Sequence, residues 1–262
     1  MLDMRNVVAR IRNIKGGRRK LASPAWSPHW KGLSVRRINQ VLLGMPRQTR
    51  YLEIGIHDGY TFEAIKARHK IGVDPIARFD PLRLPAKTTV FIGESDLFFS
   101  QYEGSSFSLI FIDGLHEAKQ CWRDLLNSLN NLEVGGVILL DDVMPRDEAS
   151  SLPDFDHSER EKALSGIVHG EWSGDVYKVL GAVATFHPEL GIELVGTPDD
   201  KVQAFIWRKT EQHKPYLVSE EVMRQIDAWV FADFFPATGL SPVVSAFSES
   251  VSIQRVASAS RF

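Results

Sequence analysis

The sequence has one cysteine, Cys121, in 262 residues. A disulfide framework and a zinc site built on clustered thiolates are therefore both excluded. It also has almost no net charge: 31 Lys and Arg stand against 33 Asp and Glu, leaving −2. Nucleic-acid binders usually carry a strong basic excess, so no nucleic-acid partner is expected. There is no run of 18 apolar residues, and the first residues lack the apolar core of a signal peptide. The expectation is a cytoplasmic protein with no transmembrane segment. What is present is ordinary for a globular chain: 44% hydrophobic and 24% charged residues, enough for one large domain or one domain with extensions.

Four segments follow from the patterning. Residues 1–30 form a basic extension, in which Arg5, Arg10, Arg12, Lys15, Arg18, Arg19 and Lys20 face only Asp3. Val7, Val8, Ile11 and Ile14 fall at helical spacing there. The segment reads either as a solvated arm or as a weak attachment to an anionic surface or a partner. Residues 31–210 form the main domain, 211–236 a C-terminal helix, and 237–262 a flexible Ser- and Ala-rich tail.

Within the main domain, short apolar runs alternate with helical periods. Strands are expected at Tyr51–Ile56, Lys70–Val73, Thr88–Ile92, Ser108–Ile112 and Val137–Leu140, with Gly135–Gly136 breaking the chain before the last. Helices are expected at Tyr60–Arg68, around Trp122, Leu125, Leu126 and Leu129, from Asp175 to Phe186, and at Ser219–Phe231. Ile192–Val195 and Val202–Trp207 read as a closing pair joined antiparallel through Gly196–Asp200. Met144–Ser173 is polar and long, as lids and binding loops are. The alternation predicts a doubly wound α/β sheet with its strand C-termini along one ligand-binding edge.

Three of those strand tips carry matched chemistry. Glu53, Gly55 and Gly59 form E-x-G-x-x-x-G between a strand and a helix, where glycines allow close backbone approach and helix amides can face an anionic group. Asp74 ends the next strand, 21 residues after Glu53, placed to accept from ribose hydroxyls. Gly93-Glu-Ser95-Asp96 ends the third, with polar groups suited to an adenine edge. Together they describe a site for an adenosine with a charged tail. A tight strand-to-helix turn and a solvated Asp before proline are the plain alternatives. Asp113, Asp141 and Asp142 end the fourth and fifth strands. Three such carboxylates would repel unless a cation neutralised them, and oxygen ligands suit Mg²⁺, with Mn²⁺ or Ca²⁺ as alternatives.

The ordered set Leu-Glu53-Ile-Gly55, Val-Asp74, Gly-Glu-Ser95-Asp96 and Phe-Ile-Asp113-Gly resembles the class I S-adenosylmethionine-dependent methyltransferases. Phe111-Ile-Asp113-Gly-Leu-His116, followed by Val137-Ile-Leu-Leu-Asp141-Asp142, is similar to metal-dependent O-methyltransferases, especially those acting on macrolide sugars. Leu115 stands where that group's Asp-Gly-Asp-His phrase has its second Asp. The resemblance spans residues 45–145, with weaker support to Trp207. It implies a Rossmann-like, mostly parallel sheet with an antiparallel closing strand, and methyl transfer to a hydroxyl of a sugar or other polyhydroxylated small molecule. It places Glu53, Gly55 and Gly59 on the methionine part of the cofactor, Asp74 on the ribose, and Ser95 with Asp96 on the adenine. Asp113, Asp141 and Asp142 would hold the metal, with His116 as general base beside Asp113.

Two rivals stand against this reading. A nicotinamide-dependent oxidoreductase expects G-x-G-x-x-G, whereas this loop offers only Gly55 and Gly59. A non-catalytic cofactor-binding module would not need the three Asp residues and His116. Nucleic-acid methylation is disfavoured by charge, although the basic N-terminus keeps it open. Trp172 and Tyr177 are candidates for stacking on a sugar or for the core, and Asp154, Asp156 and His157 for substrate contact or a solvated lid. His57 and Asp58 read as turn residues. Trp229, Phe231, Phe234 and Phe235 fit either a homo-oligomer contact or a docked helix.

Overall fold

A computed structural model describes residues 28–235 except 47, 77, 82, 83, 197–200, 212 and 213. The basic stretch around Arg5–Lys20 and the tail from residue 237 lie outside the described residues. Leu33, Ile38, Val41 and Leu42 recur at helical spacing and are buried on one face of helix α1, Pro28–Gly44. That helix was not among the sequence expectations. The chain continues through β1 (Arg50–Ile54), α2 (Tyr60–Ala64), β2 (His69–Asp74), β3 (Thr88–Ile92), α3 (Ser95–Gln101), β4 (Phe107–Ile112), α4 (Ala118–Asn130) and β5 (Leu132–Leu140). It closes with α5 (Phe155–Leu164), α6 (Tyr177–Phe186), β6 (Leu190–Val195), β7 (Gln203–Arg208), α7 (Glu220–Ala228) and α8 (Phe231–Phe234).

The strands form one sheet in the order β3-β2-β1-β4-β5-β7-β6. Only β7 runs antiparallel to its neighbours β5 and β6, the mostly parallel sheet with an antiparallel closing strand that the sequence predicts. The strand order reverses between β1 and β4, and in such sheets ligands bind in the crevice at that point. Alternate residues feed two cores. Leu52, Ile54, Ile110, Ile112, Ile138 and Leu140 pack under α4, α6 and α7. Tyr51, Leu109, Phe111, Val137 and Leu139 pack on the other face with α1.

Several boundaries differ for identifiable reasons. Gly135–Gly136 does not stop the chain: Gly135 takes φ 73° inside β5, and the pairing with β4 shifts register there, so the strand bends and continues. Helix α2 ends at Ala64, short of Arg68, where the Lys70 ammonium takes the Phe62 and Glu63 carbonyls. The polar 144–173 segment is largely structured. It carries a turn of 3₁₀ helix, Ala149–Ser151, and then α5, whose N-terminal His157 amide donates to Asp154 at 2.6 Å. Helix α7 stops at Ala228, and Trp229 and Val230 run extended before α8. Phe234 is buried against Tyr177 and Trp229, so the aromatic cluster docks on α6 within the chain. No helix among the described residues is long and apolar enough to cross a membrane.

Candidate active site

Backbone pairing persists past the strand ends and brings the tips into register. Gly93 N donates to Asp74 O, Gly55 N to Val73 O, Asp113 N to Ile54 O, and Asp141 N to Ile112 O, all at 2.8–3.0 Å. Residues far apart in sequence thereby become neighbours on one edge. Gly55, at φ 88°, lies so close to the Asp113 carbonyl that any side chain would collide with it. The glycine turn and the first metal-candidate carboxylate are thus in direct backbone contact.

On the turn side, Asp74 is fixed by two amides: His57 N donates to Oδ2 at 2.8 Å and Ile76 N to Oδ1 at 2.9 Å. Each oxygen keeps a lone pair for a further donor. Gly59, at φ 78°, faces the Phe79 ring. Glu53 is buried and accepts the Tyr51 hydroxyl at 2.6 Å. Ser95 is also buried, donating to Asp124 Oδ1 at 2.5 Å and accepting from Gln120. Asp96 pairs with Arg123 at 3.0 Å. Burial pushes the Asp124 carboxyl up to about 6, against the pull of its bonds from Ser95 and Gln120.

On the other side, Asp113, His116 and Asp142 each offer a ligand atom within 4.8 Å of the others. His116 Nε2 stands 3.1 Å from Asp142 Oδ2 and 3.9 Å from Asp113 Oδ1. Its Nδ1 lies 3.1 Å from the Trp172 carbonyl, and the Trp172 ring stacks on the imidazole at 4.6 Å. A carbonyl can only accept, so Nδ1 carries a hydrogen toward Trp172 and Nε2 faces the carboxylates. Asp142 reaches the group from a left-handed backbone, φ 57°. Burial and the neighbouring Asp141 push the Asp113 carboxyl well above the usual range, with Lys201 opposing. Burial likewise raises Asp142, with His116 and Lys201 opposing. The centre suits a cation.

Asp141 is beside this group but differently engaged. Its Oδ1 accepts the Asp142 amide at 2.9 Å, and its Oδ2 meets the Lys201 ammonium at 2.5 Å. The carboxylates hold that ammonium protonated, overriding the effect of its burial. Tyr177 belongs to the core rather than a sugar platform, and Trp172, tied through Nε1 to the Leu152 carbonyl, stacks on His116.

Residues 29–143 match the family described as Methyltransferase domain. The similarity to that family spans less than half of the chain. Cofactor-bound Rv0187 from MTB shares its fold at 13% identity and a TM-score of 0.50, covering 81% of this chain and 100% of that one. The O-methyltransferase from Bacillus cereus in complex with SAH is 16% identical over 78% of this chain and 88% of that one, with a TM-score of 0.45. The SAH-bound methyltransferase PaMTH1 from Podospora anserina is 15% identical, over 80% and 98%, again with a TM-score of 0.45. Identities this low speak to fold alone. No curated protein matches the chain.

The arrangement at this edge also includes residues outside the sequence motifs. Lys201, Asp124, Gln120 and the Trp172 carbonyl were not among the expected site groups. Gln120 and Asp124 sit one helical turn apart on α4, a weak signal. A backbone carbonyl leaves no trace in side-chain identity, and Lys201 lies in no recognisable motif.

Proposed function

We propose that this protein is an S-adenosylmethionine-dependent methyltransferase acting on a hydroxyl of a sugar or other polyhydroxylated small molecule, assisted by a divalent cation, Mg²⁺ or, given the imidazole, Mn²⁺. The observation that carries this reading is the Asp113, His116 and Asp142 group in backbone contact with the glycine turn. S-adenosylmethionine would supply an electrophilic methyl group, and the cation Lewis acidity at the acceptor hydroxyl. Asp74 would hold the ribose, while Gly55 and Gly59 leave room for the methionine part. Glu53, buried beneath the turn, would act on that part from below. Ser95 and Asp96 would border the adenine. The acceptor oxygen would take the methyl group from the sulfonium, leaving a neutral thioether, and His116 Nε2 would take the hydroxyl proton. The Trp172 carbonyl, by accepting from Nδ1, directs Nε2 inward.

The test is methyl transfer from labelled S-adenosylmethionine to a panel of hydroxylated acceptors, with and without chelator. Turnover should vanish on chelation and return with Mg²⁺ or Mn²⁺, while cofactor binding by calorimetry persists. Full turnover after exhaustive chelation would remove the cation from the reaction. Calorimetry showing affinity for NAD and none for S-adenosylmethionine would remove the whole reading. His116→Ala should lower kcat by about 10²–10⁴-fold. Because Nε2 faces both carboxylates, loss of metal in that variant would assign His116 as a ligand instead.

A further inference from the structure

Lys201 sits just before β7, far in sequence from the carboxylates it serves. Its ammonium is 2.5 Å from Asp141 Oδ2, with the carboxylate almost fully buried and the lysine side chain 19% exposed. The lysine backbone is also anchored. Arg37 Nη1, from α1, donates to the Lys201 carbonyl at 2.8 Å and to Gln203 Oε1 at 2.7 Å. Gln203 Nε2 in turn donates to Ser34 Oγ at 2.8 Å, and Ser34, Arg37 and Gln203 are all buried. A chain of buried and partly buried hydrogen bonds thus anchors the lysine that faces one of three carboxylates.

We infer that Lys201 is a positioning residue of the cation centre: it holds Asp141 out of the ligand set and leaves Asp113 and Asp142 to bind the ion, with His116 beside them as the base. The inference rests on the cation reading proposed above and revises the ligand set expected from the sequence. With Lys201 in place, one Asp141 oxygen is ion-paired with the ammonium and the other accepts the Asp142 amide. The three carboxylates and one ammonium carry a formal charge of −2, which one divalent cation cancels. Without Lys201 the charge is −3, and Asp141 is free to join the ion. Lys201 therefore weakens cation binding while keeping the metal-free protein stable. A buried carboxylate stripped of its partner is strongly destabilising.

The test is a double-mutant cycle read by Mn²⁺ titration, using calorimetry and the paramagnetic resonance of free Mn²⁺, on metal-stripped full-length protein. Lys201→Met should bind Mn²⁺ roughly tenfold or more tightly than wild type, because a nearby positive charge is gone. Its metal-free form should melt lower, and Mn²⁺ should restore it. Asp141→Asn should bind more weakly, since the ammonium, no longer offset by the Asp141 carboxylate, then opposes the ion. Removing both together should return affinity to within about threefold of wild type and spare the metal-free stability. If Lys201→Met alone fails to fold, the double variant still decides the matter. Unchanged or weaker Mn²⁺ binding in Lys201→Met overturns the inference, as does loss of binding in the double variant comparable to Asp113→Asn. A wild-type protein that binds no divalent cation removes the cation reading itself, a result visible before any variant is made.

Discussion

Asp124 is the residue whose ionisation most directly links the site region to stability. Its carboxyl is buried beneath Ser95 and Gln120 and pushed up to about 6. Its unfolded value lies near about 4, so the folded chain binds the proton more tightly. Stability from this group is therefore full below about pH 4 and lost as pH rises to about 6, a swing of about 3 kcal/mol. Urea unfolding of Asp124→Asn should show the variant gaining on wild type by up to that amount across the window; parallel curves would remove the shift. At Asp74, substitution by Ala should weaken S-adenosylmethionine binding by about 1–3 kcal/mol in calorimetry, the scale of lost hydrogen bonds to a charged group. An unchanged dissociation constant would take Asp74 out of the cofactor site. Asp113 and Asp142 were legible because carboxylates immediately after apolar strands must sit at sheet tips. Lys201 was not, because what makes it a partner of Asp141 is the antiparallel return of β7, which places residues by pairing rather than by spacing.

At the scale of elements, the insertion between β5 and α6 is the part that turns a nucleotide-type sheet into this particular site. It touches the centre through Trp172, through Gly174, and through Asp175, which accepts the first α4 amide, Ala118 N, at 2.6 Å. Gly174 has φ 59°, and a side chain there would collide with the His116 carbonyl. Gly174→Ala should therefore push the insertion off His116, lowering cation affinity and kcat while far-UV circular dichroism stays near native. Retention of both would show that the insertion does not brace the imidazole. Asp175→Ala removes a cap supplied from outside the helix, and should lower unfolding free energy by about 1–2 kcal/mol in denaturant titration. The central strands were readable because both cores bury them, β4 at every position. Helix α1 was missed because its apolar stripe is interrupted by the buried Arg37, whose partners lie across the molecule. Gly135–Gly136 misled for the opposite reason: glycine permits a bend as readily as a stop.

At the scale of the whole molecule, the site is distributed along most of the described chain. The glycine turn comes from the end of the first strand, the carboxylates from the fourth and fifth, and the compensating ammonium from Lys201, two residues before β7, itself held by a helix at the other end. A ligand that binds only the finished arrangement stabilises it by mass action, so saturation at about 100 times its dissociation constant should add about 2.7 kcal/mol to unfolding free energy. Thermal melts with S-adenosylhomocysteine check this, and an unshifted transition would deny the cofactor site. The antiparallel insertion of β7 between β5 and β6 also has a kinetic side. Contacts between residues so distant in sequence close large loops and form slowly. The carboxylates at the β4 and β5 tips can assemble while the chain still lacks its last strand, but their resident counter-charge arrives only when β7 slots into place. The acidic edge lacks that ammonium until β7 is seated.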